Sequence, residues 1–212
     1  SEATAAYARS RGLSARVVRN GLPPPKPAEG ARRALGGDPG LLVGGVGRVS
    51  PQKGWDVLCH AASLVRDDRA DVGFVVVGDG EERARLAADP GCGQVRFLGY
   101  RPEASSLLAG MDLLAIPSRF EGLPLVAIEA MHAGVPVVAA SVGGVPEVLG
   151  DCGVLVPPED PRALADAILA LAGDGDRRAQ LADAARERAR ELFSPERMAA
   201  ETAAVYEGVL GP

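Results

Sequence analysis

Aromatic residues are scarce, at 4% of the 212 positions. So few rings leave little surface on which unstacked bases could lie, which argues against a single-stranded nucleic-acid binder. Lysine is nearly absent. Only Lys26 and Lys53 occur among 23 basic residues, against 28 acids, and the formal charge is −5. An acidic balance argues against a nucleic-acid or anionic-membrane partner. Cysteine is limited to Cys59, Cys92 and Cys152. Their spacing matches no metal or redox motif, so unpaired thiols in a reducing, cytoplasmic setting are expected. No apolar run reaches the length of a membrane span, and no stretch has the pattern of a secretory signal. The chain opens on Ser1 rather than Met, which reads as a processed chain or a fragment.

What is present is ordinary for a globular protein: 47% hydrophobic and 24% charged residues, enough for a sizeable core. From residue 41 the pattern alternates. Apolar, Gly-bounded runs at Leu41 to Val46, Val72 to Val77, Val95 to Leu98, Asp112 to Ile116, Val135 to Ala139 and Gly153 to Val156 read as strands. Continuous apolar strands are those of a parallel sheet covered on both faces. Helical patterns lie between them: Trp55 to Arg66, Glu81 to Ala88, Glu103 to Ala109, Leu125 to Ala133 and Val145 to Leu149, then 161–172, 175–192 and 195–209. This alternation predicts an α/β fold with a doubly wound parallel sheet, whose ligands bind at the carboxyl ends of the strands. Residues 1–40 stand outside the rhythm. A helix over Glu2 to Arg9 and a short strand over Arg16 to Val18 are expected there, followed by a stiff segment, Asn20 to Pro27, that acts as a hinge.

The densest chemistry lies in Phe120-Glu121-Gly122-Leu123-Pro124-Leu125-Val126-Ala127-Ile128-Glu129, where seven residues separate two acids across a loop-to-helix junction. Pro124 suits a first helical turn, where no N–H is needed. Free N–H groups at that helix start, with the helix dipole, make an anion site. Glu121 is expected on the loop at the mouth of the site and Glu129 within the helix. A phosphate bound between carboxylates so placed implies a long ligand with hydroxyl-rich rings at both ends, such as a nucleoside diphosphate joined to a sugar. Gly47, Arg48 and Lys53 follow the first strand in Gly44 to Gly54. Both cations could reach a diphosphate, although neither a dinucleotide fingerprint nor a P-loop is present. Gly78-Asp79-Gly80 reads as a tight turn in which Asp79 caps the next helix, or as a turn beside a nucleotide. Tyr100 and Arg101 follow the third strand and either face a base or form a plain loop. Ser118 and Arg119 precede the central motif. Glu147 reads as a first-turn acid in its helix. His60 and His132 lack the company of a catalytic or metal constellation and are expected to be structural or on the surface.

Taken in order, these segments resemble the retaining GT-B glycosyltransferases of family 4, and in particular their C-terminal, donor-binding half. The carrying motifs are Gly47 to Gly54, Val77 to Gly80, Val95 to Gly99, Pro117 to Gly122, Ala133 to Ala139 and Gly143 to Glu147. Glu121 and Glu129 match the family's pair of acids separated by seven residues. The resemblance implies a Rossmann-like domain that binds a UDP-, GDP- or ADP-sugar without a metal or other cofactor. Arg48 and Lys53 would hold the diphosphate, Glu121 would contact the donor sugar, and Glu129 would bind the ribose. Backbone amides of Gly122, Leu123, Leu125 and Val126 around Pro124 would bind the sugar and distal phosphate. Gly78, Asp79 and Gly80, with Tyr100 and Arg101, would line the ribose and base.

A complete enzyme of this kind has an N-terminal acceptor-binding domain that is not visible here. The resemblance therefore assigns residues 1–24 to a remnant of that domain and its hinge, 25–194 to the donor domain, and 195–212 to a helix that returns to the absent half. It implies that the chain alone binds nucleotide but transfers little or no sugar. It further implies that apolar surface left uncovered could dimerise, and that membrane contact, if any, would come through the absent half. Two other readings share the diphosphate logic: a piece of a GT-B-fold sugar-nucleotide epimerase or phosphorylase, and a non-catalytic association module of the same fold.

Overall fold

The computed structural model describes residues 1–37 and 40–210, without the side chains of the last two. Its elements in chain order are α1 (Glu2–Ser10), α2 (Ala31–Ala34), β1 (Leu41–Val46), α3 (Trp55–Asp68), β2 (Val72–Val77), α4 (Arg83–Ala88), β3 (Val95–Phe97) and α5 (Ala104–Leu107). They continue with β4 (Leu113–Ile116), α6 (Leu125–Ala133), β5 (Val137–Ala140), α7 (Val145–Leu149), β6 (Val154–Val156), α8 (Pro161–Gly173), α9 (Gly175–Leu192) and α10 (Pro195–Leu210). The six strands form one parallel sheet in the order β3-β2-β1-β4-β5-β6. The order reverses between β1 and β4, the switch point beside which ligands of such sheets bind. The fold is a doubly wound, Rossmann-like α/β sheet.

Side chains alternate across each strand and feed two cores. Val43, Phe74, Val76, Leu113 and Ala115 pack with α3 and α8. Leu42, Val75, Val77, Leu114 and Ile116 pack with α6, α7 and α9. Strands loaded on both faces must be covered on both faces, which is why they read as unbroken apolar runs. Among the described residues no helix is long and apolar enough to cross a membrane.

Four expectations are corrected. Arg16 to Val18 forms no strand, and none of the described strands pairs with it. The short α2 interrupts a segment read as irregular. β5 starts two residues late, since the N–H of Val135 closes the end of α6 on the Ala130 carbonyl. Cys59 and Cys92 are not independent thiols: they form a disulfide between α3 and the turn after α4, while Cys152 is free. Their separation of 33 residues carries no motif, and only the packing of that turn on α3 brings them together.

Candidate functional site

The loops after β1 and β2 are drawn together beyond the strands themselves. The N–H of Gly47 donates to Val77 and that of Val49 to Asp79, at 3.0 and 2.9 Å. A Cβ on Gly78 would lie 1.9 Å from the Gly47 carbonyl oxygen, and its φ of +151° is one that side chains disfavour. Only glycine permits this approach. The result is a cleft of about 320 Å³ lined by Gly47, Arg48, Gly78, Asp79, Tyr100 and Arg101. Tyr100 is exposed at its rim. Asp79 does not cap α4. Its carboxylate accepts from the N–H of Gly80, 2.8 Å away, because the N–H of Glu82 turns back to the Val49 carbonyl. Gly80 lies beside the cleft, in contact with Val49.

The loop after β4 meets the turn before α3 at a second cluster. Lys53 Nζ stands 2.7 Å from Glu121 Oε1, which also accepts from Ser118 Oγ at 2.7 Å. Glu121 is therefore buried, only 6% exposed, and not at the mouth of the site as the loop position led one to expect. The two cations part company: Arg48 is exposed and lies 3.5 Å from Glu81. Ser118 is the functional neighbour that sequence reasoning underused, and its three-residue spacing from Glu121 was the available signal.

Pro124 is the N-cap of α6 and not part of its first turn, with φ −73° and ψ 99°. Its carbonyl accepts from the N–H of Ala127. The N–H groups of Gly122, Leu123, Leu125 and Val126 have no protein acceptor among the described residues. They lie at a helix start, where the dipole favours an anion. One turn further, Glu129 is half-buried, and burial pushes its carboxyl above the usual range. No cation or hydrogen-bond donor of the described residues reaches it. His132 does not pair with it. It faces the carbonyls of Phe193 and Leu22, and burial lowers its pKa. His60 is exposed. Glu147 does stand in the first turn of α7 and also holds Arg19, 2.6 Å away. A second hollow, about 280 Å³, is lined by residues of α1 and by Phe120, Glu121 and Gly143, with Tyr7 and Phe120 exposed. Among the described residues no three His, Cys, Asp or Glu side chains gather as a metal site.

The site thus offers a cleft with Asp79, Arg48 and Arg101, a contact between Lys53 and Glu121, free amides at a helix start, and the half-buried carboxylate of Glu129. Such a constellation can grip an anion in its middle and hydroxyl groups at its ends. The model of the family Glycosyl transferases group 1 matches residues 40–187. The lipopolysaccharide core biosynthesis mannosyltransferase LpsB of Rhizobium meliloti is 32% identical over 201 residues, covering 88% of this chain and 57% of its own length. The crystal structure of Anabaena HepE in complex with UDP is 28% identical, with a TM-score of 0.87, over 98% of this chain and 62% of that one. The structure of the C-terminal domain of LpcC, a glycosyl transferase group 1 family protein from Francisella tularensis, is 26% identical, with a TM-score of 0.69, over 80% of this chain and 96% of that domain. The chain spans about half the length of the curated relatives it matches.

Proposed function

This chain belongs to the family Glycosyl transferases group 1, and we propose that it is the donor-binding half of a retaining glycosyltransferase that moves a hexosyl group from a nucleoside diphosphate sugar to an acceptor held by another domain. One observation carries this reading. Unsatisfied amides at the start of α6 stand between a carboxylate held by Lys53 and a half-buried carboxylate, Glu129, that has no partner among the described residues. Without a ligand, only water is left to serve these four donors and the half-buried carboxylate. A diphosphate on the amides and a ribose on Glu129 satisfy all of them at once. The base then falls toward the cleft of Tyr100 and Arg101, and the sugar toward Glu121. HepE, whose structure holds UDP, supports a nucleotide in this fold.

Arg48 and Lys53 would offset the charge that builds on the departing diphosphate, together with the amides and the helix dipole. This is why the reading calls for no metal. The acceptor-binding domain would complete the reaction chamber, and the chain alone would bind but scarcely transfer. The test is calorimetric titration with UDP, GDP and ADP, each with and without Mg²⁺. One of the three is expected to bind, equally well in both conditions. Lys53→Ala and Glu129→Ala should each weaken it by about 10- to 100-fold, the equivalent of a lost charge-assisted hydrogen bond. Tight binding that survives both substitutions would sink the assignment of the site.

A further inference from the structure

Arg119 makes more bonds than any other side chain near the site, and none of them is to a group assigned to the ligand. Its guanidinium donates to both carboxylate oxygens of Asp56, at 3.0 and 2.7 Å, to Glu159 at 2.6 Å and to the Pro51 carbonyl at 2.7 Å. Its backbone N–H donates to the Gln52 carbonyl at 2.8 Å. The Gln52 side chain returns a bond to the Phe120 carbonyl at 2.9 Å. These bonds tie together three loops: the turn before α3, the segment after β4 and the turn between β6 and α8. Lys53 adjoins Gln52, and Glu121 adjoins Phe120. The backbone on either side of the Lys53–Glu121 contact is thereby fixed.

Two further observations show that the arrangement is built. Glu159 is the one non-glycine residue with positive φ, +57°, among those described. Such a backbone is uncommon for a residue with a Cβ and persists only where surroundings demand it. Here it delivers a carboxylate to Arg119. The charges also reinforce each other. Hydrogen bonds to Asp56 and then Glu159 raise the pKa of Arg119 further, and Arg119 holds the Asp56 carboxyl below its usual range. A planar fork can pair with one carboxylate through two parallel bonds and still serve a second carboxylate and a carbonyl, a geometry that an ammonium does not offer.

We propose that Arg119 is a positioning residue that acts through Lys53 and Glu121, stapling the two loops that carry them so that their side chains meet at a fixed spacing. Its consequence for ligand binding rests on the donor-site reading. The staple itself rests on geometry alone. A lysine on a flexible stem loses rotamer freedom when it is held at one acceptor. Fixing the backbone beforehand reduces what must be ordered when a ligand arrives.

The scarcity of lysine gives a direct readout. Reductive ¹³C-methylation of the chain yields two dimethyl-lysine signals beside that of the α-amine: exposed Lys26 and Lys53 held by Glu121. Lys53→Arg assigns the second. In Arg119→Ala the Lys53 signal is expected to move toward that of Lys26, and Arg119→Lys should not restore it. Arg69→Ala removes a bidentate surface pair with Asp71 and should move neither signal. Glu159→Gln cuts a single arm of the clamp and should give an intermediate shift. Thermal melts identify the temperature at which each variant is folded, and should Arg119→Ala not fold, Glu159→Gln decides. Nucleotide affinity should fall roughly tenfold in Arg119→Ala, as for one displaced ionic contact. An unmoved Lys53 signal in folded variants overturns the staple. If the wild-type chain binds no nucleotide, the donor-site reading fails by itself, and the Lys53 signal still decides the role of Arg119.

Discussion

Glu129 holds a carboxylate on α6 where burial alone acts on it, raising its pKa. The sign of the pH dependence follows. A raised carboxyl pKa in the fold means that the folded chain binds the proton more tightly than the unfolded one. The contribution of this group to stability is then greatest below its unfolded value, near pH 4.5, and falls as pH rises through the window up to the folded value. Glu129→Gln removes this loss. The variant should melt at a higher temperature than wild type at pH 7, and the difference should close as pH falls toward about 4. The same variant should bind nucleotide more weakly, since it gives up the charged acceptor for ribose hydroxyls. Equal melting temperatures at pH 7 would mean that the carboxylate is solvated after all. At this scale the sequence was readable where a motif is local. Glu121 and Glu129 stand out by their spacing, and Gly78 by its turn. The burial of Glu121 was not readable, because it depends on Lys53, 68 positions away. The hub role of Arg119 was hidden for the same reason, as Asp56 and Glu159 are distant in sequence.

Elements were more legible than residues. β1, β2, α6 and α7 have the ends that apolar runs, Gly and Pro imply. Boundaries shifted where a backbone N–H found a distant or capping partner, as for Val135 at the end of α6 and Glu82 before α4. Arg16 to Val18 shows the converse: β-forming side chains make no strand without a neighbour to bond. The junction of α6 and α7 illustrates what such contacts do for the site. The N–H of Gly144 donates to the Glu121 carbonyl at 3.2 Å. Gly143 has φ +51°, and a Cβ on it would stand 1.8 Å from that same oxygen. Gly143→Ala therefore adds backbone strain and pushes the Glu121 loop outward. It should cost about 2 kcal/mol or more, read as a lower urea midpoint at unchanged slope. Lys53 and Glu121 would be displaced, so nucleotide binding should weaken too. A variant with the wild-type midpoint would show that the two loops are free to separate.

For the molecule as a whole, the Cys59–Cys92 disulfide ties α3 to the turn that leads into β3, the outer edge of the sheet. Both sulfurs are buried, with the residues 1% and 4% exposed. The bridge closes a loop of 33 residues that contains β2 and α4. β2 leads into one wall of the Tyr100 cleft, so the bridge braces the side of the molecule on which a base would rest. In the chain-entropy view, closing a loop of that length stabilises the fold by about 3–4 kcal/mol. For a chain of this size that corresponds to roughly 10 °C in Tm. Two measurements check it together. In denaturant without reductant one thiol should react, that of Cys152, and after reduction three should. The melting temperature should drop by the stated amount with reductant, and Cys59→Ser/Cys92→Ser should reproduce the drop and be insensitive to reductant. Because the bridge is buried, reduction should be slow in the folded chain and follow its opening rate. Three reactive thiols before reduction, with a melting temperature that reductant leaves alone, would show that packing of α3, β2 and α4 holds this edge without a covalent bond.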